Sequence, residues 1–187
     1  MVAEAAAHPG IQYCVASAEE IPFQDASFEL ATVGLAFHWF NQATFLREVH
    51  RVLKADAWLV IYNSGFLGEM TENAAFSKWA RKEYPERFPT PPRHTQNVDE
   101  ETIQALGFTL QRRQKFTHDE KMSAEHLTRY LLTQTNVIAA VERGTVPLES
   151  AAEWIYDGIQ PFFSHEVRTM KFGGSISFLR RLPDANC

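Results

Sequence analysis

Cysteine is scarce in this chain: Cys14 and Cys187 are the two in 187 residues. Two such positions build no disulfide framework, and neither they nor His94, His118, His126 and His165 stand at metal-ligand spacing. Positive charge is also short. Eighteen Lys and Arg against 23 Asp and Glu leave a net −5, which removes the electrostatic reason to expect nucleic acid or an anionic membrane as partner. No apolar run reaches transmembrane length, no signal-peptide pattern follows Met1 and no segment repeats, so the expectation is a soluble cytoplasmic protein. What remains is ordinary globular composition, 45% hydrophobic and 22% charged, at a length that suits one domain with a real core.

The most informative stretch is Phe28 to Asn63, FELATVGLAFHWFNQATFLREVHRVLKADAWLVIYN. Phe28 to Leu35 is a near-continuous apolar run, as a buried parallel strand requires. Asn41 can cap a helix, and Phe45, Leu46, Val49, Val52 and Leu53 then recur at helical spacing. Trp58 to Tyr62 is a second apolar run. Strand, amphipathic helix and strand make a right-handed βαβ unit. Ligands of such sheets sit beyond the carboxyl ends of the strands, and Ala36 to Phe40 occupy that place here.

Around this unit the chain reads in order. Met1 to Ala7 is helix-forming and is stopped by His8-Pro9-Gly10. Ile11 to Val15 is a short strand and Ala16 to Ser27 a loop. Phe66 to Tyr84 reads as helix, and Pro85 to His94 as a proline-rich loop that either connects elements or covers a site. Asp99 caps a helix carrying Ile103 and Leu106, which Gly107 ends in a left-handed conformation. Phe108 to Phe116 alternates as an edge strand. Ser123 to Val141 and Leu148 to Phe163 are amphipathic helices, and Phe172 to Leu179 is a last strand beside Phe108 to Phe116. The two helices between those strands form an insertion.

FELATVGLAFHWF followed by FLREVHRVLKADAWLVIYN resembles the fourth and fifth strands of class I S-adenosylmethionine-dependent methyltransferases of the type 11 kind. VASAEEIPFQDASFEL resembles the family's passage from its third strand to its fourth. With weaker specificity, SAEHLTRYLLTQTNVIAAVERG to KFGGSISFLRR is similar to the subgroup around trans-aconitate methyltransferase, which acts on small carboxylic acids. The resemblance implies an α/β, Rossmann-like sheet of family order 3-2-1-4-5-7-6, with a C-terminal antiparallel strand pair and a helical insertion. It implies one methyltransferase-like domain over 1–187, with a partial cofactor-binding core at 1–63, a C-terminal part at 64–187 and the insertion at 117–170.

No stretch reads as the family's V-L-D-x-G-C-G-x-G cofactor loop, and MVAEAAAHPGIQY resembles its helix after strand 2, entered midway. The resemblance therefore implies an N-terminally truncated form without family strands 1 and 2. Those strands would span roughly 14 Å between Ile11–Val15 and Phe28–Leu35. Without them, Ile11–Val15 pairs directly with Phe28–Leu35 or loses its partner, and an apolar edge is exposed. Smaller departures are Ser17 for the family's adenine-reading aspartate, Glu29 for an aspartate, and Lys54-Ala55-Asp56-Ala57 for its K-P-G-G turn. Asp56 tolerates the left-handed conformation better than most residues.

By resemblance, Ser17, Ala18 and Glu19 line an adenine pocket, and Leu35 and Ala36 flank the methionine end of S-adenosylmethionine. Phe37 and Trp39 lie on the substrate side, against the sulfonium or as plain packing. His38 orients the acceptor or removes its proton, or is a structural histidine. Arg93, Arg129 and Arg143 are candidate partners for a substrate carboxylate, or solvated charges. Two readings follow: methyl transfer to a small-molecule acceptor, a carboxylic acid among the options, with this chain alone weak or inactive; or a non-catalytic, truncated relative that serves as an interaction module. The methyl acceptor and oligomeric state stay open.

Overall fold

The computed structural model describes residues 8–92, 98–164 and 166–183. The helix expected at Met1 to Ala7 lies outside the described residues, as do Arg93, His94, His165 and Cys187. Strand β1 (Phe28–Gly34) is followed by a short 3-10 turn (Phe37–Trp39), helix α1 (Gln42–Val52) and strand β2 (Leu53–Met70). Then come α2 (Phe76–Lys78), a π-helical turn (Trp79–Glu83), α3 (Tyr84–Arg87) and α4 (Glu100–Ala105). Strand β3 (Phe108–Met122), helices α5 (Ala124–Leu132), α6 (Thr135–Glu142) and α7 (Leu148–Phe163), and strand β4 (Arg168–Arg181) complete it.

The strands form one sheet in the order β1-β2-β4-β3. β1 and β2 are parallel, with Ala31 opposite Leu59 and Val33 opposite Ile61. β4 runs antiparallel to both of its neighbours. Against β2, Thr71 donates to the Thr169 carbonyl and Asn63 accepts from the Ser175 amide; against β3, Lys171 pairs with Asp119 and Arg113 bonds Ser177. The sheet thus holds a parallel pair followed by an antiparallel pair, with α5 to α7 inserted between β3 and β4.

The chain divides into two compact units. The first comprises residues 1–62, 94–114 and 176–187. Its core is the apolar face of α1, Phe45, Leu46, Val49 and Val52, packed on Val33, Leu53, Leu59, Phe108 and Leu179. Leu46, Leu53 and Leu59 are fully buried; each such side chain contributes about 1.5–3 kcal/mol. The helix starts where Asn41 accepts a hydrogen bond from the Thr44 amide at 3.1 Å. Asp56 takes the left-handed conformation foreseen for it (φ 62°). Asp99 caps α4 by accepting from the Thr102 amide at 2.8 Å, and Gly107 follows with φ 84°.

The second unit comprises residues 63–93 and 115–175. α5 and α7 pack on one another, and their buried residues join Phe76, Trp79, Phe88, Met170 and Phe172 in one cluster. Trp79 stacks on Trp154 (centroids 5.8 Å apart, 28° between planes), Tyr84 lies beside Trp79, and Phe88 meets Trp154 edge-on.

Four expectations are corrected. Ile11 to Val15 is not a strand: the described residues offer no strand beyond β1 for it to pair with, and Ile11 and Val15 are 52% and 86% exposed. Phe66 to Tyr84 is not one helix, because Phe66–Met70 continues β2 and Thr71 still pairs with β4. Pro85 lies in α3, directly after the π-helical turn, so the loop starts later than expected. Ser123 to Val141 is two helices. The Thr133 hydroxyl and Gln134 side-chain amide both donate to the Tyr130 carbonyl, which ends α5, and Gln134 turns to an extended ψ of 141°.

A methyl group at Gly107 would lie 2.4 Å from His50 Nε2 on backbone at positive φ. Gly107→Ala is expected to destabilise the fold by at least about 1–2 kcal/mol, read as a lower urea midpoint with unchanged slope.

Candidate functional site

The carboxyl end of β1 is shaped by a small residue and a left-handed one. A Cβ at Gly34 would stand 2.5 Å from the Tyr62 ring, so the close approach of that ring requires glycine. Leu35 then adopts φ 56°, a conformation that costs a non-glycine residue about 1–2 kcal/mol. Its amide still donates to the Tyr62 carbonyl at 3.0 Å. The 3-10 turn follows, with the Trp39 amide donating to the Ala36 carbonyl at 2.8 Å, and α1 begins at Asn41.

The loop before β1 is brought to this point by Glu19. Its carboxylate accepts from the Ser17 hydroxyl at 2.5 Å and from the Asn41 amide at 2.9 Å. Asn41 thus caps α1 with its side chain and ties down the loop with its backbone. The Ser17 hydroxyl, then the Asn41 amide, hold the Glu19 carboxyl below its usual range.

Further along, the same loop is pinned to α1 by one guanidinium. Arg51 donates to the carbonyls of Ile21 (2.9 Å) and Phe23 (2.8 Å), to Asp25 (2.7 Å) and to both oxygens of Glu48 (2.5 and 2.9 Å). Glu48 in turn accepts from the Ile21 amide at 2.8 Å. The Arg51 hydrogen bonds hold the Glu48 carboxyl below its usual range and raise the Arg51 guanidinium. The carbonyls of Arg51 and Val52 accept from Ala26 and Ser27, which delivers the chain into β1.

Of the residues singled out from the sequence, Ser17 and Glu19 meet at Asn41, while Ala18, Ala36 and Phe37 pack on the core around α1. Phe37 lies edge-on to Phe45, with centroids 5.9 Å apart. Leu35 and Trp39 are exposed, at 54% and 58%. His38 is half-buried, with its ring 4.9 Å from that of Trp39. Arg129 lies on α5 and Arg143 follows α6, both in the second unit. The organising roles of Asn41, Glu48 and Arg51 had a sequence signal, since Glu48 and Arg51 stand three apart on one helix face. No acid or histidine cluster able to hold a metal exists among the described residues. None of the described helices is long and apolar enough to cross a membrane.

Comparison with known proteins gives a consistent picture. The methyltransferase domain family matches residues 1–61. An uncharacterized methyltransferase of Schizosaccharomyces pombe is 30% identical over 125 residues, covering 66% of this chain and 47% of the relative. A methyltransferase of Dictyostelium discoideum is 34% identical over 65 residues, covering 35% and 25%. The chain thus spans less than half the length of these curated relatives. Among solved structures, a type II methyltransferase of Anaeromyxobacter dehalogenans aligns with 97% of this chain and 77% of its own, at TM-score 0.70 and 22% identity. A methyltransferase of Bacillus halodurans aligns with 94% and 74%, at TM-score 0.51 and 22% identity. The fold is that of the Rossmann-like methyltransferases.

Replacing Arg51 by Met is expected to free the loop, with amide exchange at Ile21 and Ala26 faster by about tenfold or more. Glu48 has a lowered carboxyl pKa in the fold, so its contribution is full above the unfolded value of about 4.3 and is lost as pH falls through the folded value. The acid limb of the stability curve below about pH 5 should therefore be shallower in Arg51→Met than in the parent, read by denaturant titration at stepped pH.

Proposed function

We propose that this chain belongs to an S-adenosylmethionine-dependent methyltransferase that acts on a small-molecule acceptor, with small carboxylic acids as the first class to examine. The observation that carries the reading is the meeting of loop 17–21 with the segment 35–41 at Asn41. It gathers, beyond the end of a parallel strand, the residues that the sequence resemblance assigns to the cofactor. The sulfonium cofactor supplies an electrophilic methyl group, so the protein's part is mostly proximity and orientation.

In this reading Ser17 and Glu19 are preset for the adenosine end. Ser17 is exposed, and its hydroxyl and the Glu19 carboxylate hold one another in place, so neither has to reorganise to accept a further hydrogen bond. Leu35 and Ala36 offer an apolar shoulder to the methionine end. Trp39 is an exposed aromatic face beside His38 and can lie against positive charge, an attraction of about 0.5–2 kcal/mol. A carboxylate acceptor is already the nucleophile, and His38 then positions it without taking a proton. The expected setting is cytoplasmic, with neither nucleic acid nor membrane as partner.

A second reading is favoured by one specific observation. β1 stands at the edge of the sheet with Leu30 exposed, and no segment of the 187 residues carries the glycine-rich motif. On that reading the chain alone is a non-catalytic interaction module.

Calorimetric titration of the folded, monodisperse chain with S-adenosylhomocysteine separates the two. Saturable binding near micromolar Kd, weakened about tenfold by Leu35→Asp, is expected for the first reading. Absence of binding by a folded chain overturns it for these 187 residues and leaves the second. For turnover with a carboxylic acid, His38→Gln is expected to raise KM more than it lowers kcat.

A further inference from the structure

The second unit holds an open pocket of about 330 Å³, lined by the end of β2 at Gly65–Gly68, the π-helical turn with the start of α3 and Thr90, and the junction of α5 with α6. That volume is at the small end of ligand sites. Its wall carries four aromatic rings, Phe66, Trp79, Tyr84 and Tyr130. Among the lining residues Arg81 carries the charge, and no acidic side chain lines the cavity. A cation would therefore meet a like charge, and a neutral or anionic guest would not.

Four features preset this wall. Gly68 interrupts β2 at φ 69°, and its missing Cβ would stand 3.1 Å from Arg81 Cγ and 3.3 Å from Ala80 Cβ, so the π turn lies directly on the strand there. The turn itself adds a residue to the helix, a feature frequent at functional sites. Trp79 is fixed from behind by Trp154 and by Gly158, whose Cβ would come within 2.4 Å of the indole nitrogen. Tyr84 is oriented by the Leu131 carbonyl (3.3 Å) and Asn136 Oδ1 (3.4 Å), and burial pushes its phenol up to about 12, so it remains a neutral hydrogen-bonding group.

Arg81 is anchored but not saturated. Nε and Nη2 donate to the Leu67 carbonyl at 3.2 and 3.0 Å, and Nη2 also pairs with Glu69. Nη1 makes no hydrogen bond among the described residues. Glu69 and Arg81 are both substantially exposed, so their pairing is weak and a second carboxylate can compete with it in the planar, two-pronged geometry a guanidinium favours.

We propose that this cavity is a binding site for a single-ring aromatic carboxylate, with the ring among Trp79, Tyr84 and Tyr130 and the carboxylate on Arg81. The site lies within the second unit, and its occupancy needs no cofactor.

The test is calorimetry on the full chain without any S-adenosyl compound, using benzoate and phenylacetate as probes and benzamide as the neutral control. Its outcome is independent of the S-adenosylhomocysteine titration, so failure here leaves the proposed methyl transfer standing. Saturable binding of the acids, at least tenfold tighter than benzamide, is expected. Glu69→Gln removes the competing carboxylate and should tighten the acids about threefold to tenfold. Arg81→Gln should weaken them more than tenfold while Arg81→Lys restores part of the loss. No saturable binding of either acid, equal binding of benzamide, or an affinity untouched by Glu69→Gln would overturn the assignment, and the last holds even if Arg81→Gln fails to fold.

Discussion

A single guanidinium organises the first unit. The loop from Ser17 to Ser27 has almost no regular structure, so its backbone groups need partners outside itself. Arg51 supplies several at once, and the choice of arginine follows from its geometry. Five donors in a rigid fork can meet two carbonyls and two carboxylates together; a lysine ammonium is a point charge on a flexible stem and cannot. Because Arg51 sits on the last turn of α1, the packing of that helix on the sheet decides where the loop runs. The loop in turn carries Glu19 to Asn41. Core, helix and loop are therefore one mechanical chain.

Much of this could be read from the residues. Asn41 and Asp99 act as caps because a short oxygen-bearing side chain ahead of an apolar period has few other uses. Asp56 and Gly107 take positive φ where a turn was expected. The parallel pair β1 and β2 follows from two apolar runs separated by an amphipathic helix. Ile11 to Val15 misled because strand propensity describes a residue's fit to a pleated surface, and a strand forms only when another strand accepts its hydrogen bonds. Phe66 to Tyr84 misled for the opposite reason. Its local preference is helical, but Phe66–Met70 lies beside β4, and tertiary pairing outweighs tenths of a kcal/mol per residue.

The candidate site was legible in part. Resemblance pointed to residues 17–19 and 35–39, and the fold joins those segments through Asn41. What no pattern announced was the means of joining, since it depends on contacts between residues more than twenty positions apart. Arg51 and Glu48, three apart on one helix face, carried only the pattern of a helical ion pair. The cavity of the second unit was equally invisible, because the end of a strand, a helical turn and a helix junction contribute to it from three separate parts of the sequence.

The π turn at Trp79–Glu83 carries a consequence for how the chain can vary. It amounts to one residue inserted into an otherwise continuous helical path from Phe76 to Arg87. Each residue of an α-helix turns the path by about 100°. Deleting any one residue of the turn would let the path relax to plain α-helix and would rotate Tyr84 and Phe88 by about that angle away from Trp79 and Trp154. Substitutions there alter a single side chain, whereas a one-codon deletion re-addresses every residue that follows in the helix. Length, more than identity, is the conserved quantity to look for in this segment across related chains.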